Sequence, residues 1–321
     1  MTRSTSRNGL PPVALIGLGV LLLVLVGLSW WMGQLSYSWL PVQASTAAPL
    51  VDGLFSFETA IGTFVFGGVV AAMALTLLFH RAEKYDMSDA EPIEGNTRLE
   101  ITWTVIPLVL VMGIAIYSVQ VNTRLDELGP MEHIHLGNRA EELSGRSGTA
   151  PLEPGTLEVV ARQWSWEFRY PNPKGGGTPV SSSELHLPLG ERTTLRLASE
   201  DVLHGFYVPA FRLKQDIIPG RVIPLAVTPT REGRYSLRDS QFSGTWFAAN
   251  QSVVVVESPE AYAAWLKQAA SQPLVSAPNR ATDEFSQRSR QRNPGWATVT
   301  PAPPPMVHDP GTDALPNDAR P

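Results

Sequence analysis

Cysteine is absent from all 321 residues. That excludes disulfides, Cys-ligated zinc, iron–sulfur clusters, cysteine nucleophiles and a lipidated N-terminal cysteine together. It leaves the compartment open. A strong charge bias is missing too: the formal net charge is −5, so nothing argues for nucleic acid as a partner. What remains is unevenly spread. Apolar residues crowd the first 120 positions, while the last 50 are rich in Pro, Ser, Asn and charge. The length suits a membrane anchor and one well-packed extramembrane domain.

Three stretches carry no charged residue: Val13–Trp31, Ala60–Phe79 and Ile101–Val119. A helix needs about 20 such residues to cross the hydrocarbon core. Trp30, Trp31, Tyr37, Trp39, Trp103 and Tyr117 stand near their ends, as interfacial aromatics do. Arg3 and Arg7 precede the first run, and Arg81, Lys84 and Arg98 lie in the loop between the second and third. The segment Gly33–Thr59 has no Lys or Arg. The positive-inside rule then puts the N-terminus and the 80–98 loop in the cytoplasm, and the chain after about residue 120 on the outer face. A second reading of residues 1–44 stays open. Basic residues, an apolar core and Val42-Gln43-Ala44 before Ser45 also match a signal peptide with its cleavage site. Residues 45–122 form a helix hairpin under either reading.

Beyond a connector at 123–155 the pattern changes to short strands, with Leu157–Tyr170, Thr193–Leu197, Val222–Thr228, Arg234–Leu237 and Ser252–Val256 as candidates. Pro188, Gly190, Pro209, Pro219, Gly220, Pro229 and Gly233 punctuate them. Short strands with turn residues between them predict an all-β sandwich or barrel at 156–270. Ser258–Ala270 reads as a short closing helix that packs Tyr262 and Trp265. Residues 271–321 hold too few large apolar side chains to offset the entropy of folding and are expected to be a disordered, Pro-rich tail.

Four segments carry a resemblance. They are Asn96–Pro107 (NTRLEITWTVIP), Gln163–Phe168 (QWSWEF), Asp201–Pro209 (DVLHGFYVP) and Leu213–Arg221 (LKQDIIPGR). In this order they resemble subunit II of heme-copper terminal oxidases, over roughly Ala48 to Leu266. The resemblance implies a membrane helix hairpin, with a third helix or a signal before it, and a cupredoxin-like Greek-key sandwich outside. In that family the sandwich normally holds a binuclear copper centre, bridged by two cysteine thiolates and fed by cytochrome c. Here only the first ligand position matches, at His204. In the second ligand loop Asp239 and Ser243 stand at the cysteine positions, Phe247 at the second histidine and Asn250 at the methionine. Gln241 replaces a glutamate whose carbonyl ligates copper and whose carboxylate binds a neighbouring Mg²⁺. With no thiolate, neither that centre nor a blue-copper site can form.

Each of these residues also has a plain structural reading. His204 reads first as a hydrogen-bonded remnant at the domain edge, with a redox or quinol-related role as the alternative. Trp164 matches the family's electron-entry tryptophan, and core packing is the simpler role. Trp246 and Phe247 are expected to fill the volume of the metal centre. Glu100, at the cytoplasmic mouth of the last helix, is the candidate for proton entry, against a capping or snorkelling role. Lys214, Asp216 and Arg221 match positions that face the large subunit. His133 and His135, two residues apart in the connector, can share a metal but read better as surface loop.

The resemblance therefore implies a subunit II without a metal site. It would serve a terminal oxidase that takes electrons from a membrane quinol, with subunits I and III as partners. Heme and copper belong to the large subunit, and this chain binds no cofactor of its own. The outer domain would face the periplasm or a thylakoid lumen. The alternative is a cupredoxin-fold binding or assembly protein without respiratory turnover.

Overall fold

A computed structural model describes residues 12–79, 95–128, 155–173, 179–275 and 279–290. Arg3, Arg7, Arg81, Lys84, His133, His135 and residues 291–321 lie outside the described residues. The described chain forms two compact units. One holds residues up to Leu40 and Asp52–Val121, the other Pro41–Val51 and the chain from Asn122 onward.

The first unit is helical: α1 (Pro12–Ser36), α2 (Ala48–Phe79) and α3 (Thr97–Leu128). All three are long and apolar enough to cross a membrane. Leu23, Phe66, Leu78, Ile106 and Val109 are among many large apolar side chains left exposed. Water would penalise such a surface and lipid would not. Asn96 caps α3, its Oδ1 accepting from the N–H groups of Arg98 (3.2 Å) and Leu99 (3.3 Å). All three helices are longer than their apolar runs, α2 and α3 by the most. The first turns of α2 precede Ala60, and α3 extends to Leu128, so the expected connector at 123–155 begins inside a helix.

The second unit is a sandwich of two five-stranded sheets, ordered β3-β2-β1-β5-β8 and β4-β10-β9-β6-β7. The strands are β1 (Thr156–Arg162), β2 (Ser165–Tyr170), β3 (Val180–Ser182), β4 (Leu185–Pro188) and β5 (Thr193–Ser199). They continue with β6 (His204–Val208), β7 (Leu213–Ile217), β8 (Ile223–Val227), β9 (Gly233–Asp239) and β10 (Gln251–Glu257). Alternate residues of β2, β5, β8 and β9 point inward and meet in one core that includes Trp166, Phe168, Leu195, Leu225, Leu237 and Phe206. Helix α4 (Pro259–Ala269) follows, capped by Ser258, and packs Tyr262 and Trp265 against that core.

The sequence reading is corrected in three places. Leu157–Tyr170 is two antiparallel strands, because a turn at Gln163–Trp164 interrupts the alternation. The expected tail at 271–321 is ordered over part of its length, since Arg280–Arg290 forms α5. Asn279 starts it, accepting from the Thr282 N–H (3.0 Å) while its own Nδ2 donates to the Trp164 carbonyl (2.7 Å). Docking of one aromatic, Phe285 on Trp164, supplies what the sparse composition lacks. Finally, the stretch around the 44/45 boundary belongs with the sandwich. Ala44 is fully buried in its core cluster.

Candidate functional site

His204 opens β6, and Asp239 closes β9 beside it in the same sheet. The loop after β9 returns through Ser243 and Gly244 to Asn250, the residue before β10. Two glycines allow that return. A Cβ on Gly205 would run into the Ser240 hydroxyl and the Gln241 backbone. Gly244 has φ +107°, and a Cβ there would lie 2.7 Å from Gln163 Nε2 and 3.2 Å from Trp164 Cζ2. Only glycine adopts that backbone at so close an approach without strain.

The four positions His204, Asp239, Ser243 and Asn250 come together, and all four are buried. At their centre is the Asp239 carboxylate. Its Oδ2 lies 2.6 Å from His204 Nδ1 and accepts from Ser243 Oγ at 2.9 Å and Asn250 Nδ2 at 3.0 Å. Its Oδ1 accepts from the backbone N–H groups of Gly205 (2.8 Å) and Gln241 (3.1 Å). The second imidazole nitrogen of His204, Nε2, lies 2.8 Å from Asp201 Oδ1. With a carboxylate on each side, both ring nitrogens face acceptors, an arrangement that favours the doubly protonated, positively charged ring.

The electrostatics follow from that geometry. Burial alone would lower the His204 pKa, but the hydrogen bonds to Asp239 and Asp201 outweigh it and hold the value above the ordinary 6.5. Burial would raise Asp239, yet its donors, His204 first, hold the carboxyl below the ordinary 3.8. Asp201 is lowered in the same way, by His204 and by the N–H groups of Gln163 and Val202 against its own desolvation.

These residues do not fit the copper ligand set. Both nitrogens of the single imidazole are already engaged, and the neighbours offer carboxylate, hydroxyl and amide groups rather than soft sulfur. Asn250 Oδ1 is a buried oxygen with no hydrogen-bond partner, but one neutral amide oxygen makes no copper site. Among the described residues, no group of three or more His, Asp and Glu is placed to hold a metal ion.

His204 has the hydrogen-bonded setting expected of it, but it is fully buried, with a carboxylate at each nitrogen. One expectation is corrected. Phe247 does not fill the centre. It is half-buried and packs edge-on against Phe242, 5.2 Å away, which is 75% exposed. The polar cluster around Asp239 occupies the middle instead. Trp246 is buried nearby.

The remaining candidates are dispersed. Trp164 sits in the β1–β2 turn, 4% exposed, its indole N–H donating to the Ser243 carbonyl at 3.1 Å. Phe285 of α5 covers it at 5.1 Å. Gln241 Nε2 donates to Asp216 Oδ1 at 2.8 Å, tying the ligand loop to the edge strand β7. Lys214 on that strand is exposed, as is Arg221 in the turn beyond it. Glu100 lies exposed in the first turn of α3, close to Gly95. Missing from the sequence reading are Asp201, the second carboxylate on His204, and an ion-pair lattice on the first sheet. There Arg162 and Arg169 join Glu158, Glu167 and Glu200. Against the cost of burial, that lattice holds Glu167 down at about 2. An acid three residues before the histidine was the available signal for Asp201.

Comparison with known proteins agrees with this order of parts. Residues 19–121 match the family model for the transmembrane domain of cytochrome c oxidase subunit II, and residues 179–258 match that for its periplasmic domain. Cytochrome c oxidase subunit 2 of Synechocystis sp. is 33% identical, over 79% of this chain and 82% of that protein. Quinol oxidase subunit 2 of Bacillus cereus is 25% identical, over 72% of this chain and 73% of that one. Among solved structures, the periplasmic domain of subunit II of cytochrome oxidase from Bradyrhizobium japonicum aligns with a TM-score of 0.33 and 23% identity. That alignment covers 38% of this chain and 96% of the other. With its membrane helices and cupredoxin-like outer domain in the family's order, the chain belongs to the subunit II family of heme-copper terminal oxidases.

Proposed function

We propose that this chain is the subunit II of a quinol-oxidising terminal oxidase and that its outer domain binds no copper. The observation that carries the reading is the closed cluster around Asp239. The positions that would present copper ligands are spent on an ion pair and its hydrogen bonds. A relative in Bacillus cereus bears the name quinol oxidase subunit 2. Quinol delivers electrons inside the bilayer, so heme in the large subunit can receive them without an external relay. Reduction of O₂ and the proton translocation coupled to it then belong to subunit I.

The part left to this subunit is architectural. Its helices pack on the large subunit and its sandwich covers the outer face of subunits I and III, toward a periplasm or a thylakoid lumen. Lys214, Asp216 and Arg221 present charge at one edge of the sandwich for that contact. Glu100, exposed at the start of α3, stands at the cytoplasmic mouth as a proton-entry group. The complex purified with its heme subunit tests this reading through oxygen uptake with a short-chain quinol and with reduced cytochrome c. Turnover with quinol alone supports it, and turnover with cytochrome c alone overturns it. A chain that purifies without any heme subunit would instead favour a binding or assembly protein.

A further inference from the structure

Between α1 and α2 the chain carries Val42-Gln43-Ala44 ahead of Ser45, a small-residue pattern of the kind a signal peptidase cuts after. The sequence alone leaves cleavage there open. We propose that the Ala44–Ser45 bond stays intact in the mature protein, and that α1 is a permanent third membrane helix. Two separate sets of contacts carry this, one in each compact unit.

In the outer unit, Pro41–Thr46 runs along the sandwich as an added strand-like segment. The Ala44 N–H donates to the Ala210 carbonyl at 3.0 Å, and the Ala44 carbonyl accepts from the Thr230 N–H at 2.9 Å. Ser45 bridges to Pro229, and its hydroxyl donates to the Phe211 carbonyl at 2.8 Å. The Thr46 N–H donates to the Thr228 carbonyl at 3.1 Å, and Arg212 Nη2 donates to the Pro41 carbonyl at 2.5 Å. Ala44 is 0% exposed and Ser45 3%. Cutting between them would place a new ammonium on a buried residue, and a buried charge without a partner is strongly disfavoured. It would also release Ala44 from the core cluster and deprive the Thr230 N–H of its acceptor. The sandwich is built around the uncut bond.

In the membrane unit, α1 is joined to α2 by more than chain connectivity. Ser56 Oγ donates across the pair to the Gly33 carbonyl at 2.7 Å. A Cβ on Gly33 would come within 3.0 Å of the Ser56 carbonyl oxygen and 3.1 Å of Ala60 Cβ. Ser29 and Ser36 are buried on the same helix. Close backbone approach over small residues, with a hydrogen bond between helices, is how membrane helices associate in the absence of a hydrophobic drive. A signal sequence has an apolar core of about 7–15 residues and is removed from the mature protein. Helix α1 is 25 residues long and is hydrogen-bonded to α2.

The test is mass analysis and N-terminal sequencing of the untagged chain, purified from its own host's membranes. Peptides that carry α1 joined through Ala44–Ser45 are expected. A chain beginning at Ser45, or anywhere between Ser36 and Ser45, overturns the proposal. A variant reads the same claim without protein chemistry. Gly33→Leu pushes a side chain into α2, so the yield of membrane-inserted chain should fall several-fold. An unchanged yield would mean that residue 33 is absent from the mature protein, and the proposal fails.

Discussion

His204 Nδ1 lies 2.6 Å from Asp239 Oδ2, and neither side chain is exposed to solvent. On the proposed reading, this pair of opposite charges takes the place of a metal at the heart of the ligand loops. An ion pair with no water around it is held only by its own geometry and by the further donors that satisfy it. Asp239 has those donors in Ser243, Asn250 and two backbone N–H groups, and His204 has Asp201 on its far side.

Breaking the pair from one side is expected to cost far more than removing both partners. Asp239→Leu and His204→Leu should each destabilise the sandwich, by up to about 3–5 kcal/mol, since each takes from a buried charge its nearest ionic partner. The double variant should lose much less than the two losses added. Denaturant unfolding of the purified chain, followed by tryptophan fluorescence, measures this. Losses that add within about 0.5 kcal/mol would mean that the two residues are not coupled.

Stability should depend on pH on both sides of a plateau. His204 has a raised pKa in the fold, so its contribution is complete below 6.5 and is lost as pH rises through the folded-state value. Asp239 and Asp201 have lowered values, so theirs is present above 3.8 and is lost as pH falls through the folded-state values. The melting temperature of the outer domain should therefore be highest between about 4 and 6.5 and decline on either side. In Asp239→Asn the alkaline decline should shrink. The acid decline should partly persist, because Glu167 and Glu184 are also held at about 2. An alkaline limb unaltered by Asp239→Asn would contradict the assignment.

Gly244→Ala should destabilise the loop by roughly 1–3 kcal/mol, the usual cost of a side chain forced into a sparsely populated backbone region. The new methyl also meets Gln163 and Trp164. A melting temperature equal to that of the wild type would show that the loop takes another path.

Phe285→Ala should loosen α5 from the β1–β2 turn. The edge-to-face contact with Trp164, at 5.1 Å, is of the kind worth about 0.5–1.5 kcal/mol. Amide hydrogen exchange in the peptide that contains Gln163 and Trp164 should rise, because the Trp164 N–H faces Thr282 Oγ1 of the same helix at 3.4 Å. Unchanged exchange would place α5 elsewhere.

How far the sequence reveals this molecule varies by element. The membrane helices are legible because lipid demands long charge-free runs, and α1, α2 and α3 contain them. Strands β5, β8 and β9 are legible because one face is wet and residues alternate. Strands β4 and β6 do not alternate. Leu185–Pro188 is buried throughout, and β6 is buried at all but Tyr207, so neither has a period to read. The turn at Gln163–Trp164 lacks Gly and Pro, and helix α5 rests on one docked ring rather than on an apolar stripe. At the site, the absence of cysteine shows what cannot bind there. That Asp239 would become the hub of a salt-bridged cluster depends on β6 setting His204 beside it and on the following loop folding Ser243 and Asn250 back onto it, which no linear pattern encodes.

Copper uptake tests most directly whether this ion pair stands in place of a metal centre. The purified chain would be incubated with copper in both oxidation states, desalted, and compared with His204→Ala for bound copper. The account predicts no retained copper in either protein and identical values for the two. Copper that the wild type retains in stoichiometric amount, and that His204→Ala loses, would contradict it.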